Sequence, residues 1–198
     1  MFLVLRLDVL MVHRMLGDRA AGGYAVAAGI ADKLYLLPVV ANTVLFPNLA
    51  KIQDMETKWH EARLIIAGTS AVLLCSCLAM AAAAPWAIPF LFGSDYAIGI
   101  RPLQWLMPAI FLLGFGSQIA NLVASTDVFR SMVIYSAFLA VLNVALNFFL
   151  IPRFKAEGAA IASMICYGLW IPYNLLLLRS LRRKSMKSRE STGSESRN

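Results

Sequence analysis

A chain of 198 residues in which 60% of the side chains are hydrophobic and only 15% are charged cannot fold as a soluble globule with a polar surface. Apolar stretches of roughly 18 residues or more recur along it, near the length a helix needs to cross about 30 Å of hydrocarbon. The alternating pattern of an outer-membrane barrel does not occur, so the composition predicts an all-α, polytopic membrane protein.

Breakers and charge clusters place six helices at 1–16, 24–50, 62–91, 99–126, 129–151 and 158–181. The connectors, among them "GDRAAGG", "KIQDMETKWHE", "FGSDYAIG" and "IPRFKAEG", are short and rich in Gly, Pro or charge. Short connectors favour antiparallel neighbours. Residues 1–181 therefore form one membrane lobe, and "RRKSMKSRESTGSESRN" from Arg182 onward reads as a basic, disordered tail.

Lysines and arginines in the internal connectors are balanced, with Lys51, Lys58, Arg63 and Arg130 opposite Arg19, Arg101, Arg153 and Lys155. The tail breaks the tie and puts the C-terminus in the cytoplasm, with Met1 on the same side because the helix count is even. Much of the net charge of +7 lies in that tail. Its expected partner is the anionic head groups of membrane lipids, not nucleic acid.

In the first helix, "RLDVLMVHRML" sets Arg6, Asp8, His13 and Arg14 among Leu, Val and Met. An ionisable side chain at bilayer depth costs about 2.5–3.5 kcal/mol even on lenient scales, so such groups face a bundle interior or a wet cavity. Arg6 and Asp8 lie about 200° apart around a helix. Asp8 shares a stripe with Val12 and Met15, and Arg6 with His13. Arg6 either lines a cavity or snorkels to the interface; Asp8 is too short to snorkel and is expected inside. The segment is also short, since Met1 to Leu16 spans about 24 Å.

The second helix carries Asp32 and Lys33 behind a run of small residues at Ala25, Ala28, Gly29 and Ala31 that permits close helix approach. A local ion pair, an interhelical hydrogen bond or a cavity-lining role would each explain them. Pro38 and Pro47 in the same helix remove backbone donors, and serve either as a pivot or as ordinary membrane-helix prolines. Further on, Gln118 and Asn121 follow "LLGFGS", and Asn143 and Asn147 share a helix face at i, i+4. Gln118, Asn143 and Asn147 read as interhelical glue, worth around 0.6 kcal/mol each.

Cys75 and Cys77 point to different faces and Cys166 lies in another segment, so neither a metal site nor a disulfide framework is expected. His13 and His60 lack metal-ligand spacing, and no phosphate loop or nucleophile motif occurs. An enzyme is the least expected class, and no cofactor is implied.

Three landmarks follow one another along the chain: "RLDVLMVHRMLGDRAAGGYAVAAGIADKLYLLPVVANTVLFPNLAKI", "FLFGSDYAIGIRPLQWLMPAIF" and "NVALNFFLIPRFKAEGAAIASMI". Together they resemble the C-terminal half of a polysaccharide or O-antigen lipid flippase of the multidrug/oligosaccharidyl-lipid/polysaccharide exporter superfamily. The resemblance implies one six-helix lobe of a two-lobe transporter in the bacterial inner membrane. Such a transporter turns an undecaprenyl-diphosphate-linked oligosaccharide toward the periplasm. It also implies a missing N-terminal lobe, supplied by another chain or by a second copy, or else a truncated remnant. For such a substrate Arg6 and Lys33 would meet the phosphates, and Asp8, Asp32 and Asn121 the sugar hydroxyls. The competing expectations are a drug or cation antiporter of the same superfamily, with Asp8 or Asp32 binding protons or sodium, and a non-transporting scaffold that docks polysaccharide-assembly proteins through the tail.

Overall fold

In a computed structural model the described residues are 4–52, 55–124 and 129–195. They form α1 (Val4–Leu16), α2 (Asp18–Ala50), α3 (Met55–Phe92), a 3-10 segment at Ser94–Gly99, α4 (Ile100–Ala124), α5 (Phe129–Phe154) and α6 (Ala156–Glu195), with no strand among them. Five of these spans are long and apolar enough to cross a membrane, α1 being the exception. The expected all-α, multi-pass bundle of six helices is what the chain forms.

Element boundaries moved where tertiary packing overrode local punctuation. The second helix starts at Asp18, not residue 24, and runs through Gly22 and Gly23. Those glycines are packing points: a Cβ on Gly99 would run into the carbonyl oxygen of Gly23, so α2 and the 3-10 segment meet backbone to backbone. The true break is Gly17, whose φ of 82° belongs to the left-handed region that glycine enters at no steric cost. Helix α3 begins at Met55, well before residue 62, because "METKWHE" contains good helix formers and no breaker. Pro38 and Pro47 lie inside an α2 that stays helical through both.

Helix α6 continues past Arg182 to Glu195. Adding residues to an existing helix is cheap compared with nucleating one, and nothing between Arg182 and Thr192 breaks the pattern. Arg182 grips Glu56 at the start of α3 through Nε–Oε1 at 2.6 Å and Nη2–Oε2 at 2.9 Å, and sits 5.6 Å from the centre of the Trp59 ring.

Helix α4 is the axis of the bundle and packs on α2, α3 and α6. Two-thirds of its membrane window, 67%, is enclosed by protein, whereas the windows of α2, α3 and α5 are mostly open to lipid. The apolar core falls into two blocks along this axis. One gathers Tyr24, Leu73, Leu103, Ile110 and Leu113 with the start of α6; the other gathers Leu49, Ile66, Ile119, Leu122 and Leu178. Between the blocks runs a belt of polar side chains. There Asn42 donates to Ser117 Oγ at 3.4 Å and Gln118 donates to Ser70 Oγ at 3.3 Å, tying α4 to α2 and to α3.

Candidate functional site

Asp8 is 3% exposed and is held by residues from three other helices. Ser163 Oγ on α6 donates to its Oδ2 at 2.6 Å, Asn147 Nδ2 on α5 donates to its Oδ1 at 2.7 Å, and Tyr24 on α2 approaches Oδ2 at 3.5 Å. The same Asn147 amide donates to Asn143 Oδ1 at 3.0 Å, and Asn143 Nδ2 donates to Ser163 Oγ at 3.4 Å. Asp8, Asn147, Asn143 and Ser163 therefore close a ring of hydrogen bonds. Two short bonds to one carboxylate are the charge-assisted kind, about twice as strong as neutral ones. Elsewhere in the lobe Arg101 meets Glu157, Arg182 meets Glu56, and His13 Nδ1 lies 3.0 Å from Asp18.

The local sequence explains how the ring assembles. Asp8 and Val12 are one turn apart and both buried, so that stripe of α1 faces the bundle while His13 and Arg14 stay exposed. On α6 the small residues Ala159, Ala160 and Ala162 bring the helix close enough for a serine to reach a carboxylate. Asn147 keeps one further oxygen, Oδ1, that is buried without a partner among the described residues.

A second polar feature opens between α2, α4 and α6. This groove, about 470 Å³ in volume, is lined by Tyr35, Asn42 and Thr43 from α2, Ser117 and Asn121 from α4, and Trp170 from α6. A third cavity of about 350 Å³ lies at the other end, where the α1–α2 and α5–α6 turns meet. It has Arg19 and Lys155 on its wall with Glu157, which stands 3.9 Å from Arg101.

The residues singled out from the sequence separate into groups. Asp8, Asn143 and Asn147 come together in the ring, and Asn121 lines the groove. Gln118 is fully buried in the belt beside it. Asp32 is half-buried on α2 and engaged, while Lys33 on the neighbouring face is exposed. The side chain of Arg6 lies outside those described. Asp8 is enclosed by its partners and lines neither the groove nor the cavity at the opposite turns. Ser163 and Tyr24 complete the ring without having been expected. Ser163 sat in view within "GAAIAS", but nothing local pairs it with a residue 155 positions away.

A multi-pass helical bundle with a buried ring of polar side chains and an open groove bearing amides and hydroxyls defines an integral membrane protein. A family model described as polysaccharide biosynthesis protein matches residues 1–100. The chain belongs to that family, which gives it a part in polysaccharide biosynthesis or transport. No curated protein and no solved structure matches it.

Proposed function

We propose that this chain is the C-terminal lobe of a transporter that turns an undecaprenyl-diphosphate-linked oligosaccharide from the cytoplasmic to the periplasmic leaflet of the inner membrane. An N-terminal lobe completes the cavity. Family membership supports a place in polysaccharide assembly. The observation that carries the transport reading is the groove between α2, α4 and α6, a ligand-sized opening whose largely apolar wall presents amide and hydroxyl groups. Basic residues of α6 beyond Arg182 fit a cytoplasmic C-terminus against anionic head groups.

The ring around Asp8 supplies the element that moves. It joins α1 to α5 and α6 through one carboxylate held by the neutral donors Ser163, Asn147 and Tyr24. Placing a proton or a monovalent cation on that carboxylate changes how many hydrogen bonds it can accept, and so how firmly α1 is docked. That supports movement of this lobe driven by an ion, as in repeat-built transporters that rock around a fixed site. The same ring favours, as the second reading, an antiporter in which Asp8 binds the ion and the groove a drug or metabolite.

The test is Asp8→Asn in cells supplied with both lobes. The substitution keeps the side-chain shape and removes the charge. Folded protein at normal levels with reduced polysaccharide export supports the proposal; unchanged export removes Asp8 from the mechanism. Proton-dependent efflux of a cationic dye by the reconstituted chain would favour the antiporter instead.

A further inference from the structure

Resting on the transport reading, the geometry points to the groove between α2, α4 and α6 as the subsite that takes the neutral sugar of the substrate and excludes its diphosphate. Its volume of about 470 Å³ lies within the range of small-molecule sites, roughly 300–1,000 Å³. Its wall sets the amides and hydroxyls of Asn42, Thr43, Ser117 and Asn121 among Val39, Ala120 and aromatic rings, and carries no lysine, arginine, aspartate or glutamate.

The hydrogen-bond inventory decides between the two parts of the substrate. Asn42 gives one of its two amide hydrogens to Ser117 Oγ, and its Oδ1 is buried behind the wall without a partner among the described residues. Ser117 and Thr43 spend their hydroxyl hydrogens on the carbonyls of Gly114 at 2.8 Å and Val40 at 2.7 Å, leaving oxygen lone pairs. The corner therefore offers both kinds of partner, lone pairs on Thr43 and Asn121 and amide hydrogens on Asn121, and a sugar hydroxyl suits it because it both donates and accepts. A diphosphate has no hydrogen to give. It would face lone pairs with its own charge and lose its hydration with no cation to replace it.

Trp170 adds the apolar half of sugar recognition. Its ring is fixed in an aromatic stack, 5.9 Å from Tyr135, which in turn lies 3.9 Å from Tyr173. A rigid aromatic wall beside amides suits a molecule with C–H faces and hydroxyl edges. Arg19 and Lys155 border the separate cavity at the opposite turns, so a phosphate would find cations there and not in the groove.

The experiment uses the full chain in phosphatidylethanolamine–phosphatidylglycerol nanodiscs and two probes, polyprenyl diphosphate bearing one neutral hexose and polyprenyl diphosphate without sugar. Bound lipid is counted by native mass spectrometry. The chain is expected to prefer the sugar-bearing lipid by about tenfold, the value of one or two good hydrogen bonds. Asn121→Ala and, separately, Thr43→Val are each expected to reduce that preference severalfold while leaving the bare lipid bound as before. Equal binding of the two probes by the unmodified chain, or a parallel loss of both in the variants, overturns the subsite. Its failure is distinct from failure of the transport reading. A chain whose removal leaves polysaccharide export intact yet still prefers the hexose lipid contradicts transport and keeps the subsite.

Discussion

Ser163 Oγ donates to Asp8 Oδ2 at 2.6 Å, joining the first helix to the last across 155 residues of chain. The bond sits where neither partner can find water, since Ser163 is 1% and Asp8 3% exposed. Ser163→Ala therefore strips a donor from a buried carboxylate. The expected loss is about 1–3 kcal/mol, above the roughly 0.6 kcal/mol of a typical interhelical bond in lipid. Thermal unfolding in detergent would read it as a lowered midpoint. Ser163→Thr, which keeps the hydroxyl, should recover part of it, and an unchanged midpoint for the alanine variant contradicts a structural role for the ring.

At the opposite end, Arg182 and Glu56 make a two-pronged pair between α6 and α3. About a third of each side chain is exposed, 36% and 27%, so solvent screens the pair and its worth belongs with surface pairs at about 0.2–1 kcal/mol. Glu56→Gln should lower the unfolding midpoint slightly in low salt, and by less as salt is added. A loss that is the same at both salt levels would mean that the side chains hold α3 by packing rather than by charge.

The contact of Gly23 with Gly99 leaves no room for a side chain, because a new Cβ would overlap a backbone oxygen that cannot swing away. Gly99→Ala must push the 3-10 segment off α2. The expected cost is about 1–3 kcal/mol, as for other overpacked sites. Gly29→Ala, with open space at its Cβ, should be neutral or slightly stabilising in the helix interior. Thermal midpoints of the two variants, measured side by side, check both statements.

The membrane bundle was legible in the sequence because it rests on length and apolar content, which are local properties. The polar residues that matter were partly legible for the same reason. A carboxylate in "RLDVLMV" and an amide pair at Asn143 and Asn147 stand out against their neighbours. What the sequence did not show is their union. The ring depends on α1 lying beside α5 and α6, and helical periodicity says which face is polar without saying which helix it meets. Gly22 and Gly23 misled for a related reason. Glycine marks a turn in a loop and a close contact in a packed helix, and only the arrival of Gly99 tells the two apart. The groove was read only through Asn121. Asn42, Thr43 and Ser117 are ordinary residues of membrane helices until three helices bring them to one opening.

The most direct test of the transport account is the fate of the lipid-linked saccharide in cells lacking this chain. Its amount would be measured by mass spectrometry of membrane extracts, and its leaflet by oxidation of the sugar with periodate in intact spheroplasts. The account predicts undiminished synthesis, with the saccharide accumulating where periodate cannot reach it. Disappearance of the lipid-linked saccharide, or its normal appearance on the outer leaflet, would contradict it.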